Sequence, residues 1–342
     1  MRSRAAFLPL TGDPIVATFW WKFFINVWQD EVDFLYVRID AITPVYIADY
    51  IRNLFNHPKV IIVPGVGRGH GVALQDLINA SHETYNMLTE EDAYIFKKGA
   101  VNEQFANLEN GKYDFIGSSR DSAAKEIVDA ENLKFGIDPT TQLFDIGPNF
   151  WPNFVFTGNE LFRKTDINFD SKNWKAGDVI KEIDLTLKED ANMDTFGWMS
   201  IQIRTLTNKI GYIPQFKAYP IDPFLARNKE WTFSGLAKWI HAGSMSSGVT
   251  RYLRDENGAP LFIPGQKFTI GDFDHEDFVL RCAWWGIALT KTGTILSQIG
   301  LHEFVEKYSQ AIHRLMDEAG ITEKELQERM ELYKNLLGTS YV

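Results

Sequence analysis

The residues best suited to chemistry lie in Tyr85–Phe96. There an apolar run, Tyr85-Asn86-Met87-Leu88-Thr89, meets Glu90-Glu91-Asp92 and resumes as Ala93-Tyr94-Ile95-Phe96. Three adjacent carboxylates at the end of a core strand repel one another and are costly to desolvate unless a cation accompanies them. In an extended chain alternate residues share a face, so Glu90 and Asp92 are expected to point one way and Glu91 the other. Two carboxylates so placed suit a hard divalent cation whose remaining positions fill with water and phosphate oxygens. An ordinary acidic turn at a strand end is the plain alternative, and the surrounding elements must decide.

Those elements alternate through the first hundred residues. Ala5–Leu10 reads as a strand closed by Thr11-Gly12-Asp13-Pro14, and Ile15–Gln29 as a buried helix started by Pro14. Phe34–Ile39 is a second strand ending at Asp40, followed by a helix with Thr43 as its N-cap, running to about Phe55. Lys59–Val63 is a third strand, Val72–Ala80 a third helix, and the strand into the acidic triplet is the fourth. Such alternation implies right-handed crossovers and a mainly parallel sheet, whose ligands bind beyond the carboxyl ends of the strands. Those ends carry Thr11-Gly12-Asp13, Asp40, Pro64-Gly65 and Glu90-Glu91-Asp92, which are polar, acidic or glycine-bearing.

Further on, Val101–Leu108 is expected to be a helix, Tyr113–Gly117 and Phe150–Thr157 strands, and Ser122–Asp145 irregular or partly helical. Asn159–Lys164 reads as a helical turn, Asp190–Thr205 as a helix and Ile210–Pro214 as a short strand. Phe278–Ala288 and Leu301–Ala319 carry apolar residues at helical spacing, and Thr322-Glu323-Lys324-Glu325 is a capping box opening a last helix to Leu337.

The 342 residues allow one large domain or two ordinary ones, and 45% hydrophobic with 23% charged residues is a globular composition. A net charge of −10 excludes a generic nucleic-acid or membrane-surface binder. The one cysteine, Cys282, rules out an internal disulfide framework and fits a reducing compartment. The apolar run after Arg4 stops at Thr11–Pro14, too early for a signal peptide. Ile15–Trp28 holds Lys22 and Asn26 and falls short of the roughly 20 residues of a membrane span. The expected setting is cytoplasmic.

Other constellations are weaker. Gly65-Val66-Gly67-Arg68-Gly69-His70-Gly71 lies between a strand and a helix, but His70 stands where a dinucleotide fingerprint needs glycine. It remains a candidate phosphate-approach loop with Arg68 as a pyrophosphate contact. The chain has no GxxxxGK[ST], GxSxG or HExxH, which excludes P-loop chemistry and disfavours serine or zinc hydrolysis. Asp272-Phe273-Asp274-His275-Glu276-Asp277 precedes a helix and reads as a capping cluster. His241, after the apolar Trp239-Ile240 and before a turn of small residues, is the most suggestive of the seven histidines.

Taken in order, these features resemble the GT-A class of nucleotide-sugar glycosyltransferases, in the style of its large family 2, over roughly residues 5 to 250. Leu88-Thr89-Glu90-Glu91-Asp92 stands where that class has its acidic DXD motif, with glutamate in place of the first aspartate. The resemblance implies that Glu90 and Asp92 hold Mn²⁺ or Mg²⁺ against a nucleoside diphosphate, with His241 completing the coordination. It implies a nucleotide-sugar pocket lined by Pro9, Leu10, Thr11 and Asp13, with Glu91 in it and Asp40 on the base. Asp194, in Asp194-Thr195-Phe196-Gly197-Trp198, matches the catalytic base of inverting members. The implied fold is α/β: a GT-A-like mixed sheet, mostly parallel and flanked by helices, with a C-terminal helical extension. Its catalytic domain is expected over 1–270, in a nucleotide-binding half (1–120) and an acceptor half (121–270), with the helical region at 271–342.

The expected reaction is transfer of a sugar from a nucleoside diphosphate sugar, UDP-sugar favoured, to an acceptor hydroxyl with inversion. Trp151, Phe154 and Trp198 are candidates to stack on sugars. A saccharide acceptor is one reading. A hydroxylated DNA base is another, and would draw on Arg204, Lys209, Lys217, Arg227, Lys229, Arg251 and Arg254 for a basic groove. The C-terminal helices are candidates for an acceptor subsite or a homodimer interface. A nucleotidyltransferase making an activated sugar is the alternative enzyme, although Leu8–Asp13 lacks that class's basic, glycine-rich first loop. A non-catalytic sugar-binding protein is the third reading, which the intact acids at Glu90 and Asp92 disfavour.

Overall fold

Strand β1 (Arg4–Leu10) is apolar on both faces and buried from Ala5 onward, as a central strand covered on both sides must be. The computed structural model describes residues 3–41, 43–66, 69–120, 123–137, 148–213, 239–241 and 275–337. Helix α1 (Pro14–Phe23) follows at once. The Asp13 carboxylate accepts the backbone N–H groups of Ile15 (2.8 Å) and Val16 (3.1 Å), and Pro14 fills a first-turn position that needs no donor. The helix does not continue regularly to Gln29. A π turn over Phe24–Trp28 and a 3₁₀ turn over Gln29–Glu31 take over where Trp20, Phe24 and Trp28 crowd together.

The alternation continues through β2 (Phe34–Ile39), α2 (Val45–Leu54), β3 (Val60–Ile62), α3 (His70–Ala80) and β4 (Tyr85–Thr89). Thr43 does not cap α2. Pro44 takes the cap position without a side-chain bond, and the Thr43 hydroxyl turns instead to the Thr11 carbonyl at 3.4 Å. Gly12, at φ +98°, makes room for it: a Cβ there would stand 2.2 Å from Thr43 Oγ1. Next come β5 (Ala93–Ile95), α4 (Ala100–Glu109), β6 (Phe115–Arg120), α5 (Lys125–Phe135), β7 (Asn149–Gly158) and α6 (Asn159–Phe162). Short paired strands β8 (Lys172–Trp174), β9 (Val179–Ile180), β10 (Leu185–Thr186) and β11 (Ala191–Met193) lead into α7 (Gly197–Leu206), β12 (Ile210–Tyr212) and β13 (Trp239–His241). The described chain closes with α8 (His275–Leu296), α9 (His302–Ala319) and α10 (Glu323–Leu337).

The main sheet has seven strands in the order β12-β6-β7-β4-β1-β2-β3, and only β7 runs antiparallel to its neighbours. It is the mixed, mostly parallel sheet expected of a GT-A-like chain. Alternation along β1 sends Ala6 and Leu8 into one core with α1, α2 and α4, and Ala5 and Phe7 into another with α3 and α7. Helices therefore flank both faces.

The C-terminal helices belong to the first of these cores, which runs from Ala6 to Tyr333. Helix α8 extends well beyond the expected Phe278–Ala288. Its Trp284 ring meets Phe19 at 5.6 Å, Tyr94 at 5.3 Å and Tyr333 at 4.8 Å between centroids. The capping box forms as expected: Glu325 accepts the Thr322 N–H at 2.8 Å while the Thr322 hydroxyl accepts the Glu325 N–H at 3.3 Å. Among the described residues no helix is long and apolar enough to cross a membrane. From α9, the Tyr308 hydroxyl donates to Asp13 Oδ2 at 3.0 Å, tying the helical region to the first loop of the sheet.

Burial pushes the Asp13 carboxyl up to about 6, against the pull of the Val16 N–H, the Tyr308 hydroxyl and the Ile15 N–H. A carboxyl raised from 3.8 to about 6 gives stability that is full below pH 3.8 and is lost as pH rises through 6. The loss amounts to about 3 kcal/mol by pH 8. Asp13→Asn keeps an oxygen for the two amides and has no proton to lose. Its stability should gain on wild type by about that amount between pH 4 and pH 8 in denaturant titrations; parallel pH profiles would rule out Asp13 as the titrating group.

Candidate active site

Chain order leaves β1 toward β2 and β3 on one side and then returns to β4 on the other, so the β1/β4 boundary is a topological switch point. In open α/β sheets ligands bind at such a point, beyond the carboxyl ends of the strands. Pro9 and Leu10 end β1, both buried, paired with Arg38 and Ile39 of β2. Thr11 is exposed at the lip, whereas Asp13 faces inward to α1 and Tyr308. Asp40, half-buried after β2, donates its N–H to the Leu10 carbonyl at 2.9 Å and accepts the Gly69 N–H on Oδ2 at 3.4 Å. The ends of β1 and β2 and the loop after β3 thus converge.

The acidic triplet does not continue the strand. β4 stops at Thr89, and residues 90–93 form a turn in which the Ala93 N–H donates to the Glu90 carbonyl at 3.1 Å. Strand alternation therefore does not set the directions of the three acids; the turn and its neighbours do. Glu91, only 4% exposed, reaches across the switch point and accepts the Thr11 N–H at 3.0 Å and the Thr11 hydroxyl. Glu90 turns to the first residue of α3, with its Oε1 at 3.2 Å from His70 Nε2. Asp92 is buried, and after desolvation itself its charge is the next cause that pushes the Tyr94 hydroxyl well above its ordinary value.

β13 pairs antiparallel with β5 so that His241 lies opposite Ala93, the residue after Asp92. The register brings the histidine's backbone beside Ala93 from about 150 residues away. Glu90 and Asp92 offer the hard oxygens a divalent cation takes. Among the described residues no three acidic, histidine or cysteine side chains converge as a ready-made cage. The donor set fits a cation completed by water and diphosphate oxygens, the usual habit of Mg²⁺ and its relatives. Arg68 lies outside the described residues.

Asp194 does not lie within a helix. Residues 191–193 pair with 172–174 as a strand, and α7 begins at Gly197. Phe196 explains the break: its backbone is left-handed (φ 72°) and its ring, fully buried, stacks on Phe169 at 5.5 Å, which outweighs helical propensity. Asp194 Oδ1 accepts the Thr195 N–H at 2.7 Å in the turn before the helix. The Phe196 N–H donates to the Phe169 carbonyl at 3.1 Å, and the next residue, Asp170, packs on Gly71. A Cβ at Gly71 would stand 2.4 Å from Asp170 Oδ1 and 2.9 Å from its backbone nitrogen. A path of contacts therefore joins Asp194, through residues 196, 169–170 and 70–71, to Glu90.

Of the proposed stacking aromatics, Phe154 is fully buried in the core, because it lies within β7. Trp151 and Trp198 are half-buried. Trp198 donates its Nε1–H to Asp166 at 2.8 Å, meets Trp174 edge-on at 6.1 Å and carries the Lys172 ammonium 4.3 Å from its ring centroid. Arg204 is unavailable to a basic groove: it is buried, with Nε on the Pro148 carbonyl at 2.6 Å and its guanidinium over Phe150. Lys217, Arg227, Lys229, Arg251 and Arg254 lie outside the described residues. Sequence reasoning missed His70 and Asp170. His70 sat in the glycine run, where it registered only as a broken fingerprint, and nothing local marks Asp170.

No family model and no curated protein matches the chain. Solved structures similar to it include the 1–349 form of S. aureus TarS, at 13% identity and a TM-score of 0.38 over 61% of this chain and 57% of that one. A longer S. aureus TarS structure matches at 13% identity and a TM-score of 0.36, over 61% of this chain and 35% of that one. M. tuberculosis glucosyl-3-phosphoglycerate synthase in complex with Mn²⁺ and UDP-glucose matches at 15% and 0.32, over 48% and 58%. The chain thus spans just over half the length of the first of these. At these scores the likeness carries no argument about function, which rests on the chain's own residues.

Gly71→Ala should force the Asp170 backbone away from α3 and cost about 1–3 kcal/mol in denaturant unfolding, the usual range for overpacking. Gly69→Ala, at a position with open space but φ +97°, tests backbone strain alone. Wild-type stability in Gly71→Ala would refute the close approach.

Proposed function

We propose that the chain is a metal-dependent glycosyltransferase that moves a sugar from a nucleoside diphosphate sugar, UDP-sugar favoured, to an acceptor hydroxyl with inversion. The observation that carries the reading is the placement of Glu90, Glu91 and Asp92 in one turn at the switch point, beside the loops that end β1, β2 and β3. Glu91 closes the loop through its bonds to Thr11. Glu90 and Asp92 are the carboxylates proposed to meet a cation from the same turn, with His241, whose backbone pairs opposite Ala93, as the third proposed ligand.

In this reading Pro9, Leu10 and Thr11 shape the nucleotide pocket, Asp13 fixes the base of their loop, and Asp40 meets the nucleoside. Glu91 keeps the pocket loop against the metal turn. A divalent cation held by Glu90 and Asp92 would supply neutralisation of the charge that grows on the departing diphosphate. Asp194 takes the proton from the acceptor hydroxyl as its oxygen bonds to the anomeric carbon. The bond from that carbon to the diphosphate oxygen breaks on the opposite face, and the diphosphate keeps the electron pair. Burial of Arg204 removes one member of the basic groove a DNA acceptor would need, which favours a saccharide.

Thermal shift with UDP, with and without Mn²⁺, tests the donor side. Stabilisation by UDP should require Mn²⁺ and disappear in Glu90→Ala and Asp92→Ala; no shift with UDP, GDP or their sugars under any condition would sink the reading. Asp194→Asn should lower kcat by about 10²–10⁴-fold with donor binding intact. Turnover near wild type would move the base elsewhere.

A further inference from the structure

We propose that His70 is a positioning residue for the metal turn: it holds the Glu90 carboxylate in the direction that receives the cation and so sets the cation's affinity. The inference rests on the metal-dependent transferase reading and adds a residue to it. Glu90 stands where the resemblance has an aspartate, so its carboxylate hangs on one more rotatable bond. A longer acid must lose more side-chain freedom to present its oxygens in one place. His70 supplies the restraint, with Nε2 at 3.2 Å from Glu90 Oε1; the histidine side chain is 33% exposed and the glutamate 15%.

The histidine is itself well anchored. It is the first residue of α3, and its neighbours on either side are fixed to other loops. Gly69 donates its N–H to Asp40, and Gly71 packs without a Cβ against Asp170. His70 therefore comes from a helix end placed between the loop after β2, the turn after β4 and the 169–170 segment. Outer groups that orient a ligating carboxylate typically change metal affinity 10- to 100-fold when removed.

The test is Mn²⁺ binding by the full chain, measured by electron paramagnetic resonance of free Mn²⁺ with and without UDP. His70→Ala should weaken Mn²⁺ binding by about 10-fold or more, while its melting temperature in metal-free buffer stays at the wild-type value. His70→Gln, which can still donate to Glu90, should recover most of the affinity. In a Glu90→Gln background the alanine change should have no further effect on Mn²⁺. Wild-type affinity in His70→Ala, or tighter binding, overturns the inference alone. Failure of the wild-type chain to take up Mn²⁺ in the presence of UDP overturns the transferase reading and this inference with it.

Discussion

Glu91 buries a carboxylate at the boundary between β1 and β4, and the arrangement of the site depends on how that charge is satisfied. A buried carboxylate without partners is costly, and Glu91 meets the requirement by accepting both the N–H and the hydroxyl of Thr11. The bond spans 80 residues of sequence and the point where the sheet's order reverses. It pins the end of the first loop to the acidic turn that also carries Glu90 and Asp92. One acid closes the structure at the point where sheets of this topology place their ligand sites.

The second constraint is aromatic. Tyr94, two residues past the acidic turn, packs on Phe19 and Phe23 of α1 and on Trp284 of α8. The turn is thereby backed by a helix from each end of the chain. Tyr308 adds a polar tie from α9 to Asp13, which caps α1. The C-terminal helices therefore act on the site from behind, through the packing that fixes the loops.

Much of the architecture was legible because buried strands and helices differ in apolar period. Ala5–Leu10, Phe34–Ile39 and the strand ending at Thr89 were readable as continuous apolar runs between turn residues. What was not legible depended on contacts distant in sequence. Asp190–Thr205 has helical spacing, yet 191–193 pair with 172–174 and Phe196 buries its ring with a left-handed backbone. Thr43 has the chemistry of a cap but turns to Thr11 instead. The acidic triplet was found by composition, whereas the directions of its side chains came from a turn the alternation rule does not describe. His70 was in plain view and could not be valued until β4 was known to end beside it.

The bond between Tyr308 and Asp13 joins residues 295 apart. A chain leaving the ribosome amino end first presents α1, with Phe19, Trp20 and Phe23, long before Trp284 and Tyr308 exist to cover it. The first crossover of the sheet thus waits through the synthesis of all the residues between α1 and α8 with part of its core open to solvent. The nascent chain meets the cell as an incomplete sandwich with an aromatic face exposed, the situation in which holdase chaperones bind and premature release favours aggregation.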